Sequence, residues 1–150
     1  TAEDFRGERG DIKSPSLLGN VMARQVSADA GATETILFRE GQLTEASSSN
    51  VWIVRDGAVY GVPKSEHVLE GIRYELIREL CEQEGIPFAL QPIDAAQVHG
   101  ADELMISSAS KEVLPVVLLD GQPIGNGQPG PVFQRLYSAY QGAKAAQSRA

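Results

Sequence analysis

The chain has 150 residues, of which 42% are hydrophobic and 22% are charged, and its formal net charge is −7. This length and composition are typical of one soluble globular domain, and the negative charge argues against binding to nucleic acid or to anionic membranes, since both require a basic surface. No apolar run is long enough to cross a bilayer, and a single cysteine, Cys81, excludes an internal disulfide and fits a reducing cytoplasm.

The amino terminus has the features of an internal segment. Residue 1 is threonine, and the following residues contain neither a basic segment nor an apolar signal core. We therefore expect that a longer chain is truncated or cleaved upstream of Thr1.

The first half of the sequence predicts one helix followed by a β-meander. Pro15 suits the first position of a helix that continues to about Ala28, with apolar residues at helical spacing. β-Branched residues and glycine turns then predict three strands, over residues 33–39, 50–55 and 58–61.

The second half predicts alternating helices and strands. A helix is expected over residues 71–84, with Gly85 ending it. The elements predicted after it are a strand, a helical turn that Asp94 caps, two further strands and a final helix: residues 88–91, 95–98, 103–107, 113–119 and 132–145. This order predicts one mixed α/β domain over residues 1–150.

One lysine has flanks that suit covalent chemistry. Lys13 lies in the motif Asp11-Ile12-Lys13-Ser14, and apolar residues on both sides would desolvate its amine. An ammonium group that loses its proton near neutral pH can form an imine with a carbonyl compound. The alternative is a solvated surface lysine, which most lysines are.

One glutamate precedes a run of small residues. Glu45 opens the segment Glu45-Ala46-Ser47-Ser48-Ser49-Asn50, which we expect to form a turn. A carboxylate beside a pyridine nitrogen keeps that nitrogen protonated, and the ring then accepts electrons more readily. The alternative is a glutamate on a surface turn.

Together the two motifs resemble the D-amino acid aminotransferase branch of the fold-type IV pyridoxal phosphate enzymes, and the resemblance extends over nearly the whole chain. It implies pyridoxal 5'-phosphate as the cofactor, a Schiff base on Lys13, which also moves the α-proton, and Glu45 as the partner of the ring nitrogen. The implied fold is α/β (mixed), the C-terminal pseudo-barrel domain with a mixed sheet and flanking helices. A small N-terminal domain would be absent from this chain.

The resemblance also implies the remaining cofactor contacts. Leu69 would pack on one face of the ring, and the backbone N–H groups of Ile72 and Arg73 would bind the phosphate at a helix start. Ser108 and Ala109 would form a second phosphate-binding turn. Arg73 and Ala109 stand where the family commonly has threonine, so two hydroxyl contacts are lost. The alternatives are a core leucine, a solvated helix arginine and an ordinary serine-rich turn.

We therefore expect the intact protein to transfer amino groups from D-amino acids to a 2-oxo acid, as a cytoplasmic homodimer. The chain alone is expected to be inactive and to expose an apolar face where the missing domain docks. Three alternatives remain: a branched-chain L-amino acid aminotransferase, an aminodeoxychorismate lyase-like enzyme, and a truncated, non-catalytic binding domain. No metal site is predicted, because His67 and His99 lack ligand spacing to each other or to Cys81.

Overall fold

The computed structural model describes residues 1–7, 18–69 and 73–147. Its helices are α1 (Leu18–Asp29), α2 (Arg73–Gln83), α3 (Ala95–His99) and α4 (Pro131–Gln147). Its strands are β1 (Ala2–Glu3), β2 (Ile36–Arg39), β3 (Gln42–Ala46), β4 (Asn50–Arg55), β5 (Ala58–Gly61), β6 (Phe88–Leu90), β7 (Glu103–Ser108), β8 (Glu112–Pro115), β9 (Leu118–Leu119) and β10 (Gln122–Pro123).

The strands of the described residues form mixed sheets. The largest has the order β6-β5-β4-β7-β8 and is antiparallel except for the parallel pair β5 and β6. A second sheet has the order β1-β2-β3, with β1 parallel to β2, and β9 pairs with β10 in a short hairpin. The predicted mixed α/β architecture is present.

The largest sheet is buried on both faces. Along β4, Val51 and Ile53 belong to one core, together with apolar residues of β2 and β3. Trp52 and Val54 belong to the other core, which contains apolar residues of α2 and α4. Because successive side chains of a strand point to opposite faces, a continuous apolar run such as β4 serves both cores.

Several turns and caps follow the sequence predictions. Three turns have two successive residues with positive φ, as a tight hairpin turn requires: Glu40-Gly41, Asp56-Gly57 and Asp120-Gly121. Asp94 caps α3, since its side chain accepts a hydrogen bond from the Gln97 N–H and the Gln97 side chain bonds back to the Asp94 N–H.

One predicted strand was wrong, and the five-residue strand β3 was missed. The strand expected over residues 113–119 is divided into β8 and β9. Pro115, at the end of β8, has no N–H for the ladder, and the chain beyond it instead bonds through the Val116 N–H to the Leu104 carbonyl, 2.8 Å away. β3 was not predicted as a strand, because its polar residues interrupt the apolar pattern.

Helix α1 turns its larger apolar residues outward. Leu18, Val21 and Met22 are 68%, 60% and 52% exposed, whereas the small residues Ala23 and Ser27 are buried. Thr35 Oγ1 donates a hydrogen bond of 2.7 Å to the Ala23 carbonyl. Within the described residues, α1 therefore packs through its small residues and leaves an apolar stripe uncovered.

Glu103 joins the largest sheet to α4. Its buried carboxylate accepts hydrogen bonds from the N–H groups of Val132 and Phe133, at 2.9 and 2.8 Å, in the first turn of the helix. We expect Glu103→Ala to lower the free energy of unfolding by about 2 to 3 kcal/mol, because two buried donors lose a charged acceptor. Denaturant titration beside the exposed-site variant Glu79→Ala tests this, and equal stabilities would contradict it.

Candidate active site

The candidate site lies at one end of the largest sheet. Asn50, the first residue of β4, pairs with Ser107 of β7, so the β3–β4 turn and the β7–β8 turn leave the sheet side by side. The Asn50 amide donates a hydrogen bond of 2.9 Å to the Leu69 carbonyl. The Leu69 N–H in turn donates to Glu45 Oε2 at 3.1 Å. Three of the predicted site residues, Glu45, Leu69 and Ser108, are thus attached to this end of the sheet.

Glu45 lies in β3 and is buried, so the prediction of a turn at this residue was wrong. The pairing of β3 with β2 shifts between Ile36–Ala46 and Phe38–Leu43, which leaves one extra residue on β3. Such a bulge redirects side chains. Leu43 and Ala46 both join the apolar core, whereas Glu45 contacts a polar cluster.

That polar cluster is built around Arg6. Its guanidinium donates to Glu45 Oε1 and, through Nε and Nη2, to Asp4 at 2.8 and 2.7 Å. Thr44 Oγ1 donates to Asp4 at 2.8 Å, and Arg6 Nη2 also donates to the His67 carbonyl at 3.0 Å. Two buried carboxylates therefore share one buried guanidinium, and the cluster fixes the orientation of Glu45.

Burial dominates the acidity of Glu45. It raises the pKa of this carboxyl to about 7, although Arg6 and the Leu69 N–H act in the opposite direction and the charge of Asp4 adds to the rise. For Asp4, burial also favours the neutral form, but hydrogen bonds from Arg6 and Thr44 outweigh it and hold the pKa below its usual range. A further positive partner would therefore stabilise the charged form of Glu45, whereas Asp4 is already stabilised in its charged form.

Arg6 was missed by the sequence analysis. The available signal was the spacing of Asp4 and Arg6, since residues two apart in an extended segment lie on the same side. That spacing predicts a local ion pair, but nothing in it predicts the contact with Glu45, which is 39 positions away.

The β7–β8 turn presents its small residues to the same end of the sheet. Ser108 is half-buried and its Oγ accepts a hydrogen bond of 3.0 Å from the Lys111 N–H. Ala109 and Ser110 are exposed at the tip of the turn. A turn of small residues lets an anion approach the backbone closely, and the Ser108 hydroxyl adds a donor.

The structure describes only some of the other predicted site residues. Lys13 and Ile72 lie outside the described residues, and for Arg73 the structure gives only the backbone, which begins α2. Leu69 is half-buried, which suits a residue that borders a ring. The roles assigned to these residues remain predictions.

The described residues contain no cluster of metal ligands, since no three or more of their His, Cys, Asp or Glu side chains converge as a metal would require. None of the helices in that part of the chain combines the length and the apolar character needed to span a bilayer. Cys81, predicted to be a core residue, is buried in the core beside α4.

Comparison with known proteins identifies a family. The model of the family described as amino-transferase class IV matches residues 2–119. The D-alanine aminotransferase of Staphylococcus haemolyticus is 41% identical over 140 residues, which are 93% of this chain and 50% of the relative. The D-alanine aminotransferase of Bacillus licheniformis is 40% identical over 141 residues, with 94% and 50% covered.

A solved structure shows the same fold. The branched-chain aminotransferase of the thermophilic archaeon Thermoproteus uzoniensis, solved with norvaline, superimposes with a TM-score of 0.84 at 27% identity, over 93% of this chain and 49% of that one. The predicted fold class is therefore confirmed. The chain spans about half the length of the curated relatives it matches.

Proposed function

Because the chain belongs to the class IV aminotransferase family, we propose that it is the cofactor-binding part of a pyridoxal 5'-phosphate enzyme that transfers amino groups from D-amino acids to a 2-oxo acid. The observation that carries this proposal is the buried Glu45, held by Arg6 and by the Leu69 N–H, in a chain about 40% identical to D-alanine aminotransferases. The reaction would also require Lys13, which lies outside the described residues, and we propose D-amino acids and a 2-oxo acid as its substrates.

The residues at the site suit this cofactor. Glu45 accepts one hydrogen bond at each carboxylate oxygen, and each oxygen can accept a second. Since burial raises its pKa to about 7, a protonated ring nitrogen beside it would stabilise the charged carboxylate. The exposed turn at Ala109 and the Ser108 hydroxyl would suit the phosphate group of the cofactor.

Lys13, Glu45 and Leu69 would each have a separate role in the reaction. Pyridoxal phosphate, when bound, supplies a ring that accepts electron density from the substrate α-carbon. Lys13 would hold the cofactor covalently through its amine, be released by the substrate amine, and then carry the α-proton. Glu45 would keep the ring nitrogen protonated, and Leu69 would border one ring face.

D-Amino acids are favoured over branched-chain L-amino acids by sequence. The curated relatives at 38–41% identity are D-alanine aminotransferases, whereas the branched-chain enzymes superimpose at 29% identity or less. The motif Asp11-Ile12-Lys13-Ser14 supports the same choice. An aminodeoxychorismate lyase-like activity would use the same lysine and glutamate for elimination.

We also propose the domain organisation, the oligomeric state and the cellular location of the enzyme. The chain would be the C-terminal domain of a longer subunit, since it covers half of its relatives. The exposed apolar stripe of α1, formed by Leu18, Val21, Met22 and Val26, supports a further contact surface on this domain. The subunit would be a homodimer, as the family resemblance implies, and it would be cytoplasmic, which suits its single cysteine.

Borohydride trapping in the full-length protein tests the proposal. Pyridoxal phosphate is expected to give visible absorbance that borohydride abolishes, with the reduced cofactor mapped to Lys13 by peptide mass spectrometry. D-Alanine, branched-chain L-amino acids and aminodeoxychorismate are then compared as substrates, and D-alanine is expected to react fastest. Reduction onto another lysine would refute the site, and preference for another substrate would refute the specificity.

A further inference from the structure

Lys111 lies beside the candidate site and has no role in the family resemblance. Its Nζ donates to Glu34 Oε2 and, at 2.9 Å, to Ser48 Oγ. The Lys111 side chain is 18% exposed and the Glu34 side chain 6%. The two residues therefore form a largely buried ion pair, although they are 77 positions apart.

Glu34 is the centre of a dense set of hydrogen bonds. Its carboxylate accepts from the hydroxyl of Ser47, from Ser48 at 2.8 Å and from Ser49 at 3.1 Å, in addition to Lys111. Burial on its own raises the pKa of Glu34, but the hydrogen bonds from Lys111, Ser47 and Ser48 outweigh it and hold the pKa below its usual range. Glu34 thus binds the whole β3–β4 turn as a carboxylate.

Lys111 connects that turn to the β7–β8 turn. Its backbone N–H donates to Ser108 Oγ at 3.0 Å, while its side chain reaches Glu34 and Ser48. Because a lone pair of Ser108 Oγ accepts from this amide, the hydroxyl proton points away from it and is available to another acceptor. One residue thus orients the Ser108 hydroxyl and joins its turn to the residues that follow Glu45.

Because this ion pair is largely buried, we expect it to fix the relative position of the two turns more than to raise the free energy of unfolding. Removing both charges from water costs most of what their attraction provides, so a buried ion pair adds little net stability, whereas loss of one partner leaves an unpaired buried charge. Such a pair defines the distance between two turns, here those that follow Glu45 and Ser108.

We propose that Lys111, through its ion pair with Glu34, is a positioning residue that holds Ser108 and the backbone of Ala109 in place for the phosphate group of the cofactor. This inference rests on the proposed function. It predicts that Lys111 acts selectively on phosphate, because the ring would be held by Glu45 in β3 and by Leu69 in the segment before α2.

This role can be tested with two ligands that differ only by a phosphate group. Dissociation constants of pyridoxal phosphate and of pyridoxal are measured by absorbance in the full-length protein, for wild type and for Lys111→Met. We expect the constant for pyridoxal phosphate to rise about tenfold, since small displacements of a binding group are costly, and that for pyridoxal to change less than about twofold. Lys111→Arg is expected to restore phosphate selectivity, because it keeps the charge.

Further variants separate positioning from general destabilisation. Lys111→Met combined with Glu34→Gln is expected to bind no more weakly than Lys111→Met alone, because the residues act as one unit. Lys144→Met removes a lysine that pairs with Glu112 at 2.5 Å but is 55% exposed, and it should leave both constants unchanged. If Lys111→Met does not fold, the exposed-site variant Ser48→Ala is expected to weaken pyridoxal phosphate alone, by about threefold.

The outcomes distinguish this inference from the function on which it rests. If wild-type protein binds pyridoxal phosphate but Lys111→Met or Ser48→Ala changes neither constant, or changes both equally, the positioning role is wrong and the function stands. If wild-type protein binds neither probe, the proposed function and the positioning role both fail.

Discussion

Replacement of Lys13 by alanine is expected to lower the turnover of D-alanine in the full-length protein by about 10³-fold or more, because one amine serves both as covalent partner and as proton carrier. The measurement is kcat with D-alanine and 2-oxoglutarate, together with the visible absorbance of the bound cofactor. The absorbance that depends on the carbon–nitrogen double bond should disappear, while pyridoxal phosphate should still bind through Glu45 and the phosphate contacts.

A lysine outside the proposed machinery provides the matched control. Lys64 is exposed in the segment between β5 and α2, and Lys64→Ala should retain kcat within about twofold, as surface substitutions usually do. Normal turnover in Lys13→Ala would exclude Lys13 as the reactive amine. Loss of turnover with retained absorbance would leave Lys13 as a proton carrier and exclude it as the covalent partner.

Replacement of Glu45 by glutamine is expected to lower kcat by about 10² to 10³-fold, the usual effect of removing one preorganised electrostatic contact. Glutamine keeps the shape but only one acceptor oxygen, so only one of the two donors, Arg6 or the Leu69 N–H, retains its acceptor. What is lost is the charge that would keep the ring nitrogen protonated. Glu82→Gln, on the exposed side of α2, is the control, and equal kcat values for the two variants would contradict the role of Glu45.

Glu45→Gln should also change how stability depends on pH in the absence of cofactor. The pKa of Glu45 is raised in the folded protein from 4.5 to about 7, so folding binds a proton between these values. The stability associated with the protonated carboxyl is complete below pH 4.5 and is lost as pH rises through about 7. Relative to Glu45→Gln, wild type should lose about 3 kcal/mol of unfolding free energy across this window.

Denaturant titrations from pH 4.5 to just above the raised pKa of Glu45 measure this difference. Asp4 contributes in the opposite direction, since its pKa is lowered from its ordinary value of 3.8, and its contribution therefore changes mainly below this pH window. Parallel stability curves over the whole window would show that burial does not govern the acidity of Glu45.

Elements with strong local signals were predictable. β4 is a continuous apolar run followed by Asp56-Gly57, and the structure ends the strand at the residue before this turn. Asp94 was identified as a helix cap from its type and place alone. Such features depend on a few neighbouring residues, and their geometry is set by local backbone and hydrogen-bond preferences.

Elements that depend on distant residues were not predictable. β3 reads as a turn because Thr44 and Glu45 are polar, and it becomes a buried strand only because a bulge turns both toward Asp4 and Arg6. The outward apolar face of α1 was also not predictable. Helical spacing shows that the helix has an apolar face, but it gives no information on which face packs against the rest of the domain.

The sequence by itself determined the mixed α/β order of elements, which is encoded in residue type and spacing, and its motifs around Lys13 and Glu45 carried the resemblance to the family. The tertiary structure alone decided that Arg6 holds Glu45, that burial raises the pKa of Glu45, and that Lys111 reaches Glu34. Charge interactions depend on distance and on exclusion of water, and both arise only when segments far apart in the chain come together.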